Sequence, residues 1–369
     1  MNEAEKQYSV ALTFVRGLGP AGTARLLDGF GSAEAVFAVS ESVLTDFGLR
    51  SDIARCIARK ETLAVAEREL KYARKNGIEV MASSDERYPP LLRECADYPA
   101  AIYVTGSPEA LSRRTLSVVG TRRITQYGLL MCDRIISELA ERVPDLCIVS
   151  GLAFGVDSAA HRASLRYGVP TVGFLASPLP DITPSQNRDL AAAMMRAGGA
   201  VVSELNSQTK QNGNLYIPRN RLIAGISAGT IVVESAFDGG AMHTAAFADG
   251  YYRTVMAVPG RATDSLSFGP NLLIRSQKAR MVCSAEDVLR ELSWDLDAAV
   301  KPAAEKRREE PSEAQRGILS CFRERSSLSA DELCSLCAMS AAELAPLLLE
   351  MEFSGLLRAL PGNIYEKLC

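Results

Sequence analysis

Between Ile78 and Leu292, short β-branched runs alternate with amphipathic stretches, and this alternation constrains the fold more than any other feature of the chain. The runs are Ile78–Met81, Leu116–Val119, Leu146–Val149, Thr171–Leu175, Ala200–Ser203, Thr230–Val233 and Thr254–Val258. They lack polar alternation, as strands buried on both faces do. Helical patterns such as Tyr127–Glu141 and Gln186–Ala197 separate them. The repeat predicts a parallel sheet with helices on both faces, which gathers ligands outside the carboxyl ends of its strands. Residues foreign to a plain core fall at those ends: Gly120-Thr121-Arg122, Ser150-Gly151, Glu204, Glu234-Ser235 and Val258-Pro259-Gly260.

Cys147–His161 (CIVSGLAFGVDSAAH) reads as a strand that turns into a helix through Ser150-Gly151 and Gly155. Asp157 is expected to cap that helix, and His161, one turn on, to contact Asp157. A helix N-terminus reached through glycines presents amides and a positive dipole end, which suits phosphate; an ordinary βα turn has the same residues. Gly120-Thr121-Arg122-Arg123 sets two guanidinium groups at the ligand edge, either as a phosphate clamp or as a solvated basic loop. Pro218-Arg219-Asn220-Arg221 precedes the apolar run Leu222–Ile226. Arginines in a first helical turn oppose the dipole at about 0.3–1 kcal/mol each, a conflict that a bound anion removes. Gly239-Gly240 fits either close backbone approach to a ligand or a tight turn.

Several chemistries lack their residues. No Gly-x-Ser-x-Gly or His-Glu-x-x-His occurs, Ser150 has no nucleophile elbow, and His161 and His243 are the only histidines. Neither Gly-x-Gly-x-x-Gly nor Gly-x-x-x-x-Gly-Lys-[Ser/Thr] opens a βα unit, so no NAD, ATP or other cofactor is expected. Nine cysteines are scattered, and Cys334-x-x-Cys337 has no second pair to complete a zinc site, so no metal is expected. A net charge of −3 excludes a globally basic coat for nucleic acid. A polyanion site must then be a local cluster, which screening over ~8 Å permits. No stretch approaches the ~20 apolar residues of a membrane span, and the N-terminus does not read as a signal peptide; a cytoplasmic protein with no membrane partner is expected.

At 369 residues the chain exceeds one core. Residues 1–77 read as a small helical domain. Its Gly17-Leu18-Gly19-Pro20 turn has SAM/helix-hairpin-helix-like character, although packing explains it better than phosphate contact. Residues 78–292 form the sheet domain, and 293–311, with the charged stretch Pro302–Pro311, a linker. Residues 312–369 read as three helices and a hairpin around Pro361-Gly362-Asn363, a winged-helix-like pattern. The third helix, Ser340–Glu352, carries Glu343, Glu350 and Glu352 and no Lys or Arg, which argues for a protein-contact or structural module over major-groove reading.

Taken in order, these segments resemble a known family. Gly120-Thr121-Arg122, Ser150-Gly151-x-Ala153-x-Gly155-x-Asp157 with Ala160-His161, and Arg219-Asn220-Arg221-Leu-Ile-Ala-Gly225 are followed by Val233-Glu234-Ser235-Ala236, His243-Thr244-Ala245, Val258-Pro259-Gly260 and Ser267-x-Gly269-x-Asn271-x-Leu273-Ile274. The set resembles the DNA-processing protein A family (DprA/Smf), densely from about Tyr88 to Leu292. The resemblance implies an extended Rossmann-like domain that binds single-stranded DNA, protects it during DNA uptake and natural transformation, and loads RecA recombinase onto it. It further implies a non-enzymatic homodimer. It places Arg122 in the DNA pocket with Arg219, Asn220 and Arg221 beside it, and the dimer face at Leu273, Ile274, Met281 and Val282; because strand ends share one edge of the sheet, Gly120, Ser150, Gly151, Phe154, Gly155, Asn187, Arg188, Gly239 and Gly240 are expected to join the DNA contacts. Ala176–Pro180, Ser185, Tyr216-Ile217-Pro218, Tyr252 and Lys278 depart from the family pattern and bear on the shape of the pocket. The runner-up is a Rossmann-like nucleotide phosphoribohydrolase of the lysine-decarboxylase-like group; those enzymes carry Pro-Gly-Gly-x-Gly-Thr where this chain has Phe237–Met242.

Overall fold

In the computed structural model, which describes residues 3–294, 312–322, 325–353, 356–360 and 362–367, nine strands form one sheet. They are β1 (Glu79–Ala82), β2 (Ala101–Gly106), β3 (Arg114–Val119), β4 (Leu146–Ser150), β5 (Thr171–Phe174), β6 (Ala200–Ser203), β7 (Gly229–Val232), β8 (Thr254–Ala257) and β9 (Arg280–Met281). Their order is β1-β2-β6-β5-β4-β3-β7-β8-β9. Pairing is parallel from β6 to β9 and antiparallel at β1–β2 and β2–β6. The strand β2 is an addition to the runs read from the sequence. Ala101–Val104 is a fully buried run, and it covers what would otherwise be the open edge of β6.

Successive side chains of the central strands enter opposite cores, as the period of two requires. Leu116, Val118, Ile148 and Ile231 pack with Met131, Ile135 and Leu139 of the helix Gln126–Arg142. Val119, Val149 and Val232 pack with Leu222 and Ile223 of the helix Tyr216–Ile226 and with Ala241 and Ala245 of the helix Gly240–Gly250. The helix leaving β3 thus covers one face and the helix leaving β7 the other, although the two strands are neighbours. The winding reverses there, and a crevice opens between the outgoing loops.

The helices before β1 do not stand apart. Val10, Leu12, Leu26 and Ile57 share one apolar cluster with Ala101, Tyr103, Leu190 and Val201 of the sheet domain. Glu69 of the helix Leu63–Lys75 also accepts hydrogen bonds from Ser207 N (2.8 Å) and Oγ (2.5 Å). The change of texture near residue 77 is therefore no division of the core; the compact units are residues 1–298 and 299–369. Residues 295–311, with nearly all of the expected linker, and Pro361 of the expected hairpin turn lie outside the described residues.

In the second unit, the helices Glu313–Ser320, Ala330–Cys337 and Ala341–Phe353 enclose Ile318, Leu333, Leu344, Leu348 and Met351. The strands β10 (Ser327–Ser329), β11 (Leu357–Leu360) and β12 (Ile364–Lys367) form a sheet in the order β10-β12-β11, the wing of a winged helix. Among the described residues no single helix is long and apolar enough to cross a membrane.

Candidate nucleic-acid interface

The crevice between β3 and β7 holds a cavity of about 250 Å³. Thr121 and Arg122 approach from the end of β3, Asp157 from beyond β4, and Gly239-Gly240 from beyond β7, while Tyr216 and Arg219 close it from the helix Tyr216–Ile226. The helices that start at Val156 and Gly240 begin around it, and neither has a side-chain cap. Their positive ends favour a bound anion. The backbone segments approach closely: Gly155 has φ 75°, and a Cβ there would lie 2.1 Å from Thr121 O. A Cβ on Gly151 would lie 2.7 Å from both Arg219 Nη2 and Asp157 Oδ2.

Asp157 does not cap its helix as the sequence suggested. The N-cap is Gly155, and Asp157 Oδ2 instead accepts hydrogen bonds from Gly151 N (3.1 Å) and Ala153 N (3.2 Å), closing the turn. Burial pushes its pKa up against the pull of Arg219. The expected partner of His161 is also replaced: His161 Nδ1 lies 2.7 Å from Thr171 Oγ1, whose own proton goes to Ile148 O at 2.7 Å. Nδ1 is therefore the donor, and Nε2 keeps its lone pair, buried without a partner. Burial, aided by the Arg219 charge, lowers the His161 pKa to about 3, so the ring is a neutral brace between helix and β5.

The arginines part company. Arg122 is exposed and sits over the Tyr216 ring, 5.2 Å from its centroid. Arg219 is buried in the cavity wall, where Nη1 donates to Gly151 O (2.7 Å) and to Phe174 O. Arg221 is buried and does not line the cavity: it pairs with Glu204, Nη1 donates to Asp97 O at 2.7 Å, and Nε lies 3.6 Å from Asp97 Oδ2. The structure brings two of the three arginines together and takes the third away. The dipole argument changes as well. A 3₁₀ turn, Gly213–Leu215, leads into a helix that starts at Tyr216, so both arginines lie beyond its first three residues, with Pro218 in the tolerant first turn.

Three other expected contact residues hydrogen-bond within the fold, and one of them, Asn220, also lines the cavity. Ser150 is buried and its Oγ donates to Val118 O at 2.6 Å. Asn187 Nδ2, also buried, donates to Leu152 O (2.8 Å) and Ser158 Oγ (3.1 Å), holding the Gly151–Gly155 turn from behind. Asn220 Nδ2 donates to Gly240 O at 3.2 Å and ties two cavity helices together. Phe154 and Arg188 are exposed outside the cavity lining. The proposed dimer residues divide likewise: Leu273 and Val282 belong to the core, Ile274 is half-buried, and Met281 is exposed on the edge strand β9. Glu234, to which the sequence reading gave no role, anchors the loop that carries Arg122. Its carboxylate accepts from Thr125 N (2.9 Å) and Oγ1 (2.5 Å), and its carbonyl accepts from Thr121 N (2.6 Å). The available signal was a carboxylate ending an apolar strand.

Reversal of winding at β3 and β7, a crevice there, and an appended winged helix define a Rossmann-like α/β protein with its cavity at the switch point. The chain belongs to the DNA recombination-mediator protein A family, whose profile matches residues 79–293, and a DprA winged helix domain profile matches residues 302–363. Protein Smf of Escherichia coli K12 is 32% identical over 319 residues, covering 82% of this chain and 84% of the relative. DNA processing protein DprA of Bacillus subtilis 168 is 36% identical over 226 residues, covering 61% and 75%. The X-ray structure of DprA from Streptococcus pneumoniae superposes with a TM-score of 0.67 at 27% identity, covering 77% of this chain and 97% of that one. DprA from Helicobacter pylori, described for its single-stranded DNA binding mode, shares the fold at a TM-score of 0.51 and 24% identity, covering 59% and 96%.

Proposed function

We propose that this chain binds single-stranded DNA at the β3–β7 crevice and, as a homodimer, protects incoming strands and loads RecA recombinase onto them in DNA uptake and recombination. The single observation that carries the DNA reading is the exposed Arg122 at the mouth of a cavity where the helices from Val156 and Gly240 begin without side-chain caps. Phosphodiesters are anions that such a site holds without a cofactor. Family membership supports the RecA and homodimer parts, and the H. pylori relative is described as a single-strand binder. A binding role also suits the cavity's chemistry. Asp157 is the one carboxylate among its described lining residues, and its Oδ2 is committed to two amides that close the turn.

The test is fluorescence anisotropy with single- and double-stranded oligonucleotides over a salt series. Arg122→Glu is expected to abolish single-strand binding without moving the thermal melt. Arg122→Ala should flatten the salt dependence by about 0.7 log units per decade, the share of one lost phosphate contact. Parental affinity and slope in both variants refute the site. Release of ribose 5-phosphate from nucleoside monophosphates would favour the hydrolase instead.

A further inference from the structure

Tyr216 is the aromatic ring in the cavity wall, yet the Arg122 and Arg219 guanidinium groups stand 5.2 Å and 6.0 Å from its centroid. It is thus engaged by cations and is a poor platform for a base. Other aromatic rings on this edge of the sheet remain open. Phe154 follows β4 and is 44% exposed, Phe237 follows β7 and is 67% exposed, and Phe268 follows β8 and is 54% exposed. The strands are adjacent in the order β4-β3-β7-β8, so the segments that carry Phe154, Arg122, Phe237 and Phe268 leave neighbouring strands in that order. At ~4.8 Å between neighbouring strands the row spans roughly 14 Å at its base.

Phe237 sits on a loop and Phe268 opens the helix Phe268–Arg275, and both segments are locked to the cavity wall. Ser235, which lines the cavity, donates its N–H to Leu266 O at 2.7 Å and accepts from Gly269 N at 2.9 Å. Those bonds dock the segment that carries Phe268 onto the loop that carries Phe237. Open benzyl groups on braced segments lose no apolar packing on binding, and they match the flat faces of unpaired bases.

We propose that Phe237 and Phe268 form a base-stacking extension of the site, so that a single strand leaves the cavity across the edge of the sheet toward β8. The inference rests on the single-stranded DNA reading and adds a direction and a second contact region to it. Stacking carries this region. Arg261 is exposed in the β8 loop, but Asp238 and Asp264 are exposed on the same two loops and offset it.

The experiment titrates the full chain and its F237A/F268A variant with labelled oligothymidylates of stepwise increasing length. For the parent, affinity should rise as the strand grows long enough to reach the β8 loop. The variant should bind the shortest oligomers as the parent does and the longer ones at least about 30-fold more weakly, the loss expected for two stacked bases. Its salt slope should be unchanged, because no phosphate contact is lost, and F237W/F268W should restore long-oligomer affinity. Equal binding of every length by parent and F237A/F268A overturns the extension while leaving the cavity reading intact. A variant that binds all lengths normally but changes its oligomeric state in light scattering overturns it too, and assigns the rings to protein contact. A parent that binds no oligothymidylate of any length removes the underlying reading, and the extension with it.

Discussion

Replacing Arg221 by methionine tests whether this arginine braces the fold or touches DNA. Its side chain is 5% exposed and faces Glu204, whose side chain is 15% exposed, together with Asp97. Burial raises the Glu204 pKa, the Arg221 charge draws it back, and the Asp97 charge adds to the rise. Methionine fills a similar volume but leaves the Glu204 carboxylate buried without its cation and Asp97 O without a donor. Breaking a buried pair from one side destabilises by about 3–5 kcal/mol. At about 2 °C per kcal/mol for a unit of this size, the melting temperature should fall by roughly 6–10 °C. The companion E204M/R221M variant removes the stranded carboxylate and should regain most of that loss, since well-packed apolar replacements of buried pairs are often neutral. Circular dichroism melts read the stability, and anisotropy on the folded fraction reads the binding. Both variants should bind single-stranded DNA with parental affinity. A parental melt combined with lost binding would refute the reasoning and return Arg221 to the DNA site.

The remaining predictions concern other parts of the first unit. His161 stays neutral in the fold down to about pH 3, whereas an unfolded imidazole protonates near 6.5, so the unfolded state binds the extra proton between these values. Stability should be full above pH 6.5 and fall by about 1.4 kcal/mol per unit below it; H161Q should flatten that slope in acid titrations and leave DNA binding unchanged. Tyr252, where the family pattern has glycine, holds φ 58° with 96% exposure. Y252G should therefore raise the urea midpoint by the equivalent of about 0.5 kcal/mol, left-handed strain of about 1–2 kcal/mol being partly offset by glycine's entropy; a lowered midpoint would mean that the ring makes a contact. I274E/M281E should be monomeric by light scattering if the β9 edge forms the dimer face, and a persistent dimer would place that face elsewhere.

Much of this protein could be read from local pattern alone. Buried strands leave apolar runs without alternation, so the expected sheet strands appear within a residue or two of their places, and the glycines at strand ends mark the crevice. A cluster of helices before residue 78 and a winged helix near the end were legible for the same reason, because the 3.6-residue period is local. Burial is not a local property. Nothing in Arg219-Asn220-Arg221 tells that one arginine lines a cavity while its neighbour two residues on pairs with Glu204. A helix points such residues about 200° apart, and only the packing of that helix against the sheet assigns each direction an environment. Leu273 and Val282 went the same way, as apolar side chains that suit either a core or an interface. Glu234 shows the converse case: its carboxylate acts on Thr125, more than a hundred residues away in the chain, because β3 and β7 lie side by side. That adjacency, set by the reversal of winding, is what turns scattered glycines and arginines into one site.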